Sequence, residues 1–198
     1  MLFRSWSLGL SVIAGWQSFE AKGLQAFANF GMSKYPDKLT NNGASTALGF
    51  GGKIGLLGNI TSHLVVGATF QTPIFMGAFK EYAGLFAQEG KFDVPANWTA
   101  GLAYKPNEKI NIAFDVKQIF YSKVKSVGNP MNPMALMPMI PDGSGNMIPN
   151  PDYVPLGSEE GSGFGWKDMM IFKLGVEAYV AEETQMRVGI SAGNNPVQ

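Results

Sequence analysis

The chain has no cysteine, a single histidine and no excess of charge of either sign, since 15 Lys and Arg balance 15 Asp and Glu over 198 residues. Each shortage removes a class of chemistry. Without thiols, and with His63 as the one imidazole, structural zinc, iron-sulfur clusters and cysteine nucleophiles have no ligand or reactive group to use. Without a cluster of Lys and Arg, nucleic-acid binding lacks the basic surface whose counterion release drives it. No cofactor is expected. Long apolar runs are missing too: no stretch reaches the roughly 18 uncharged apolar residues that a membrane-spanning helix needs. A mean hydropathy close to zero leaves a β-barrel open, because barrel strands alternate lipid-facing and lumen-facing residues. The opening Met1-Leu2-Phe3-Arg4 runs straight into Trp6-Ser7-Leu8-Gly9-Leu10, with neither the apolar core nor the small-residue cleavage site of a signal peptide. An exported protein that opens in this way is expected to have lost its natural start.

What the chain does have is alternation. In Ile110-Asn111-Ile112-Ala113-Phe114-Asp115-Val116-Lys117 every even position is apolar, the mark of a strand with one apolar face. The same period recurs in Phe172 to Val180, Met186 to Ala192, Trp98 to Tyr104 and Trp6 to Val12, and less cleanly over residues 47 to 58 and 62 to 73. Seven strands are predicted, most near the roughly 9 to 11 residues that cross a bilayer at a tilt.

The connections come in two kinds that take turns. Residues 59 to 62, 105 to 109 and 181 to 184 are short and turn-like, whereas residues 19 to 46, 74 to 95 and 122 to 166 are long. Alternate connections of an up-and-down barrel lie at the same end, so short turns gather at one end and long loops at the other, as in outer-membrane barrels. Lys53, Asp115, Lys117, Lys173, Glu177 and Arg187 fall on the face opposite the apolar stripe, among Gly, Ser, Thr and Ala. A half-exposed sheet of a soluble sandwich shows the same period. The sorting of loops by length, and Trp6, Trp16, Trp98, Tyr104 and Tyr121 near strand ends as in an interfacial girdle, favour the barrel.

Two segments are candidates for function. In the second long loop Phe75, Phe79, Tyr82 and Phe86 recur at helical spacing, with Lys80, Glu81, Gln88 and Glu89 largely elsewhere, which predicts a short amphipathic helix. Such a helix, with Leu85, either packs on the barrel rim or offers an apolar lip that collects ligands. The third long loop spreads Met131, Met134, Met137, Met139 and Met147 among seven prolines from Pro130 to Pro155. Proline argues against regular structure there, and methionine supplies adaptable apolar surface. Other patterns are weaker. Asn59-Ile60-Thr61 and Asn97-Trp98-Thr99 match a glycosylation signal only by a short pattern, and the glycines at 49, 51, 52, 55 and 58 precede no helix and form no phosphate loop. Asp115 and Glu177 are expected to face lumen cations such as Lys117 and Lys173 rather than to perform acid-base work.

The stretch Phe86 to Tyr104, reading FAQEGKFDVPANWTAGLAY, resembles a signature of the FadL/TodX family of outer-membrane transporters for fatty acids and aromatic hydrocarbons. Gly163 to Asp168, Lys173 to Glu177, Arg187 to Gly189 and Asn195-Pro196 are similar to the next strand pair of that family. The resemblance implies a fourteen-stranded barrel plugged by an N-terminal hatch, with ligand captured between outer loops and released sideways into the membrane. Against that pattern the chain reads as one partial transmembrane barrel domain over residues 1 to 198, without the hatch and the last strands.

The expected function is passive passage of long-chain fatty acids or other hydrophobic compounds across the bacterial outer membrane. Aromatic loops would capture the ligand through Phe75, Phe79, Tyr82, Leu85 and Phe86, and its carboxylate would pair with Lys117, Lys173 or Arg187. Outer-membrane lipid and a fatty acid or aromatic hydrocarbon are the expected partners, and the parent protein is expected to be monomeric. A general porin and a structural or adhesive β-protein remain as alternatives. An enzyme ranks last, for want of a nucleophile, base and orienting group together.

Overall fold

The computed structural model describes residues 6 to 181 and 183 to 197. The reading of Met1 to Arg4 as a lost start, and Glu182 in the last short turn, lie outside the described residues. Alternation becomes a single antiparallel meander of seven long strands: β1 (Trp6–Phe19), β2 (Ser45–Asn59), β3 (Leu64–Gln71), β5 (Asn97–Asn107), β6 (Ile110–Ile119), β9 (Met169–Ala181) and β10 (Thr184–Gly193). A two-residue strand, β4 (Phe75–Met76), continues β3 along β2. The third long loop holds a separate hairpin, β7 (Met139–Pro141) with β8 (Met147–Pro149). This corrects the expectation that proline keeps that loop irregular. Pro141 and Pro149 end their short strands, where the missing donor costs no interior ladder bond.

Register shows that the alternation is shared by the whole sheet. Leu8, Leu56, Ala68, Ala100, Val116, Phe172 and Ala192 stand opposite one another in a row across all seven strands. The next row runs Trp6, Gly58, Val66, Leu102, Phe114, Leu174 and Ile190. Directly paired residues point to the same side, so every even-numbered residue of these rows shares one continuous apolar face, as expected. That face is bare. Val12 is 88% exposed, and Leu8, Leu10, Val188 and Ile190 are all exposed. A sandwich would cover it with a second sheet; here the sheet stands alone, and lipid is the solvent such a surface fits.

Trp6 and Trp16 frame the band on β1, both outward and exposed. Their ten-residue separation spans about 33 Å at ~3.3 Å per residue, or about 25 Å in height at a ~40° tilt, the thickness of a barrel's apolar belt. Gln118, an outward amide, accepts at Oε1 from Trp98 Nε1–H at 2.9 Å.

The buried core lies under the long loops. Ala47, Ile74, Met76, Phe79, Tyr82 and Phe86 form one cluster, and Leu39, Leu136 and Leu156 a second, with Leu85 packed against both. The three loops are stitched into one cap by backbone bonds from Lys34 N to Leu156 O at 3.0 Å, Gly84 N to Lys38 O at 2.8 Å and Glu89 N to Gly157 O at 3.0 Å.

Candidate functional site

The predicted amphipathic helix is not continuous. The segment holds a 3-10 turn over Lys80–Tyr82 and a four-residue turn over Ala87–Gly90, in which Gln88 and Glu89 take φ of 55° and 58°. Both lie in the left-handed region, which costs a non-glycine residue energy that neighbours must offset. Their amides donate to Ser158 O at 3.1 Å and Gly157 O at 3.0 Å, so the third long loop holds the turn. Gly84 breaks the helix from the other side. A Cβ there would lie 2.1 Å from Tyr35 O, so only glycine admits the first long loop so close.

Within the cap, Phe79 is 3% exposed, Tyr82 0% and Phe86 8%. Phe19 on β1 meets Tyr82 edge-on at 5.0 Å and Phe86 at 4.8 Å, and Phe86 meets Phe92 at 5.0 Å. The contacts continue from Phe92 to Phe164 at 6.4 Å, Trp166 at 6.1 Å and Tyr121 at 5.2 Å. Tyr121 thus meets Trp166 edge-on in the cap. Leu85 is half-buried at the junction of the two clusters. Phe75 is separate: it pairs with Phe50 on the outward face and is 61% exposed. The structure therefore brings Phe79, Tyr82, Leu85 and Phe86 together and leaves Phe75 outside the group.

Tyr82 is the polar hinge of this cluster. Its hydroxyl donates to Gly43 O at 2.6 Å and accepts from Ala21 N at 3.0 Å, tying the second long loop to both ends of the first. Tyr82→Phe would leave both backbone groups unmatched, at about 1–3 kcal/mol. We expect faster proteolysis of residues 20 to 44 with the strands unaffected, and an unchanged cleavage rate would show the hydroxyl to be dispensable. Exposed ion pairs add peripheral staples. Lys34 bonds Glu89 at 2.7 Å, and Tyr35 donates to the same carboxylate at 2.8 Å. The bond from Lys34, then that from Tyr35, holds the Glu89 carboxyl below its ordinary range. This contribution is present above the usual carboxylate pKa and is lost as pH falls through the lowered one.

Next to the cap the wall itself is interrupted. Gln71 pairs with Asn97, and Ile74 bridges Val94 in the same register, which sets Pro73 opposite Pro95. Neither proline can donate, so the ladder between β3 and β5 has a gap there. On the other side, pairing with β2 shifts by one residue between Lys53↔Gln71 and Phe50↔Phe75. Gly49 and Gly51 accommodate it, since a Cβ would fall 2.3 Å from Met76 Sδ and 2.9 Å from Pro73 O. Packing under the loops accounts for these glycines, which no sequence motif explained.

The inward face carries the predicted cations. Lys117 stands beside Thr99 and Ile171, and Lys173 beside Asp115 and Ser191. Asp115 lies over Gly101, where an added Cβ would come within 1.9 Å of Oδ1. Among the described residues neither lysine is in an ion pair. Arg187 is engaged: Nε donates to Glu177 at 2.7 Å and an Nη to Gln185 at 2.7 Å. Glu177 thus faces a cation of the same side, Arg187, set opposite it by cross-strand pairing, and Asp115 stands opposite Lys173. In the same rows as the lysines, a trough of about 530 Å³ runs over Gly9, Gly55, Gly67, Gly101, Thr69 and Thr99.

No family model and no curated protein matches the chain. Solved structures do. The toluene transporter TbuX of Ralstonia pickettii is 17% identical, with a TM-score of 0.54 over 96% of this chain and 52% of its own. The TodX monoaromatic hydrocarbon channel, as its deltaS2S3 mutant, is 18% identical, with a TM-score of 0.56 over 100% and 55%. A Pseudomonas aeruginosa FadL homologue is 14% identical, with a TM-score of 0.56 over 100% and 48%. The chain spans about half the length of these structures. It shares their fold, as an open antiparallel sheet that makes up part of a barrel wall. These neighbours are transporters and channels rather than enzymes.

Proposed function

We propose that residues 1 to 198 form part of the wall and outer cap of a monomeric bacterial outer-membrane barrel that passes hydrophobic molecules without an energy source. The observation that carries this reading is the inversion of burial. The apolar side chains of seven strands face outward and bare, while the closely packed core sits in loops at one end. A general porin fits less well, because the trough on the inward face is floored by glycine and threonine and lined mainly by apolar surface. The substrate class is a monoaromatic hydrocarbon, the cargo named for two of the structural neighbours, or a long-chain fatty acid.

Capture takes place at the cap, where Leu85 and Phe92 border the buried Phe79, Tyr82 and Phe86 and Phe164 lies beyond Phe92. Each methylene leaving water contributes about 0.8 kcal/mol, so an acyl chain needs no special contact to bind. Phe75, outside the wall, meets the ligand only on the membrane side. The proline gap between β3 and β5 supports sideways release, since no ladder bonds need to break there. Within the lumen the carboxylate of a fatty acid pairs with Lys117 or Lys173, whereas Arg187 would first have to exchange Glu177.

The lysine assignment is tested by Lys117→Gln with Lys173→Gln. Fatty-acid uptake should fall about tenfold, the equivalent of one charge-assisted hydrogen bond of ~1.5 kcal/mol, while toluene uptake stays level. Equal loss for both compounds would point to a damaged barrel, and no loss for either would remove the lysines from the path. Failure of the inserted protein to admit any hydrophobic compound would remove the transport reading itself.

A further inference from the structure

The outward face is not flat throughout. A hollow of about 340 Å³ opens over Gly52, walled by Leu10, Val12, Ile54, Phe70 and Thr72. These are even-numbered residues of adjacent rows, so the hollow faces away from the lumen. Ser11 and Lys53 also border it, and since the register turns their side chains inward they do so through backbone. The hollow arises where pairing of β2 with the β3–β4 strand shifts by one residue. Gly52 sits at that bend, and a Cβ on it would meet nothing closer than Ser11 O at 3.7 Å. Nothing in the chain itself therefore requires glycine there.

We propose that this hollow is a binding site for one acyl chain of a membrane lipid. The proposal rests on the membrane reading above. Water is excluded by the hydrogen-bond count. Thr72 N donates to Gly52 O at 2.9 Å, Gly52 N donates to Thr72 Oγ1 at 2.9 Å, and Thr72 Oγ1 donates to Pro73 O at 2.9 Å. The polar groups at the rim are thus spent on one another, while a buried water needs two to four partners. An open apolar depression whose rim offers no free hydrogen-bonding group is filled more favourably by hydrocarbon than by water.

Height on the wall decides between tail and headgroup. On β1 the hollow lies at Leu10 and Val12, between the outward Trp6 and Trp16, inside the apolar belt and away from both interfaces. The wall behind it decides between a lipid and the transported molecule. Leu10↔Ile54, Ser11↔Lys53 and Val12↔Gly52 pair without interruption, and Lys53↔Gln71 continues the ladder to β3, so the wall directly behind the hollow is closed and the proline gap lies on the other, β5 side of β3. Its occupant comes from the bilayer.

The test uses the chain joined to flanking sequence that closes its wall, inserted in phosphatidylethanolamine and phosphatidylglycerol vesicles doped with a phosphatidylcholine that carries a diazirine in mid-chain. After photolysis, label on Leu10, Ile54 and Phe70 should exceed that on Phe172 and Leu174, flat outward positions on β9, by about fivefold or more. Gly52→Leu fills the hollow from its floor and should abolish the excess. Val12→Phe fills it from the wall and should do the same, should Gly52→Leu fail to assemble. Equal labelling of the two surfaces would overturn the site, because both would then see bulk lipid only. Loss of the excess on adding fatty acid or toluene, with Gly52 intact, would overturn the lipid assignment in favour of cargo. Absence of label even at Phe172 and Leu174 would instead overturn the membrane reading.

Discussion

Phe86→Ala is expected to open the entire loop cap, although it alters one side chain in one loop. Phe86 is 8% exposed and lies 4.8 Å from Phe19, 6.1 Å from Phe79 and 5.0 Å from Phe92, ring centre to ring centre. Truncating a buried phenylalanine costs about 3–5 kcal/mol, through lost burial and the cavity left behind. The strands draw little on this cluster, because their ladders are local to the wall. Limited proteolysis of the inserted protein should therefore show new cleavage in residues 20 to 44 and 122 to 166 as well as in 77 to 95, with the heat-resistant barrel band retained. Phe75→Ala is the control. Its ring is outward and 61% exposed, so the cap should change by no more than about 0.5 kcal/mol. Cleavage confined to residues 77 to 95 in Phe86→Ala would show that the three loops fold separately. The result also bears on capture: if fatty-acid binding falls in step with cap opening, the buried rings act by shaping the cap and not by direct contact.

Strand placement was legible because a period of two survives at every level, from sequence to register to the exposed apolar face. Ile112, Phe114 and Val116 alternate in sequence, pair with Val176, Leu174 and Phe172, and lie on the exposed face. Loop length sorted the ends correctly for the same reason: in a meander it depends only on order. The cap was less legible. Spacing of Phe75, Phe79, Tyr82 and Phe86 fits a helix, but Gly84 must admit Tyr35 O and the turn at Gln88 must meet Ser158, demands made by loops far away in sequence. Tertiary contact overrode local period there. Lys117 and Lys173 were placed on the inward face by counting alone, whereas the Arg187–Glu177 pair needed the register. Pro73 and Pro95 are each unremarkable in sequence, and only their juxtaposition makes a gap.

Edge polarity leads to the largest expected effect. β1 runs from the short-turn end to the long-loop end, and so does β10, because seven is odd and each neighbour reverses. Among the described residues β1 pairs only with β2, and β10 only with β9. Neither edge carries a proline, and Arg187, the one charge on them between residues 6 and 193, is bonded to Glu177 on the inward side. In lipid each unmatched backbone group costs several kcal/mol, so both edges must find partners. A second copy cannot supply them. In the same orientation it offers strands running the same way to both edges, which gives parallel pairs foreign to an up-and-down barrel; inverted, it places its long loops across the membrane. Only an odd number of further strands, the first and last of them running opposite to β1 and β10, closes the wall. The 198-residue chain expressed alone in detergent is therefore expected to aggregate, without a compact heat-resistant band, even at concentrations that favour dimers. Flanked on both sides by sequence that provides such strands, it should give that band. A monomeric or dimeric protease-resistant species formed by the chain alone would show that β1 and β10 can meet each other or their copies, and the polarity argument would fall with it.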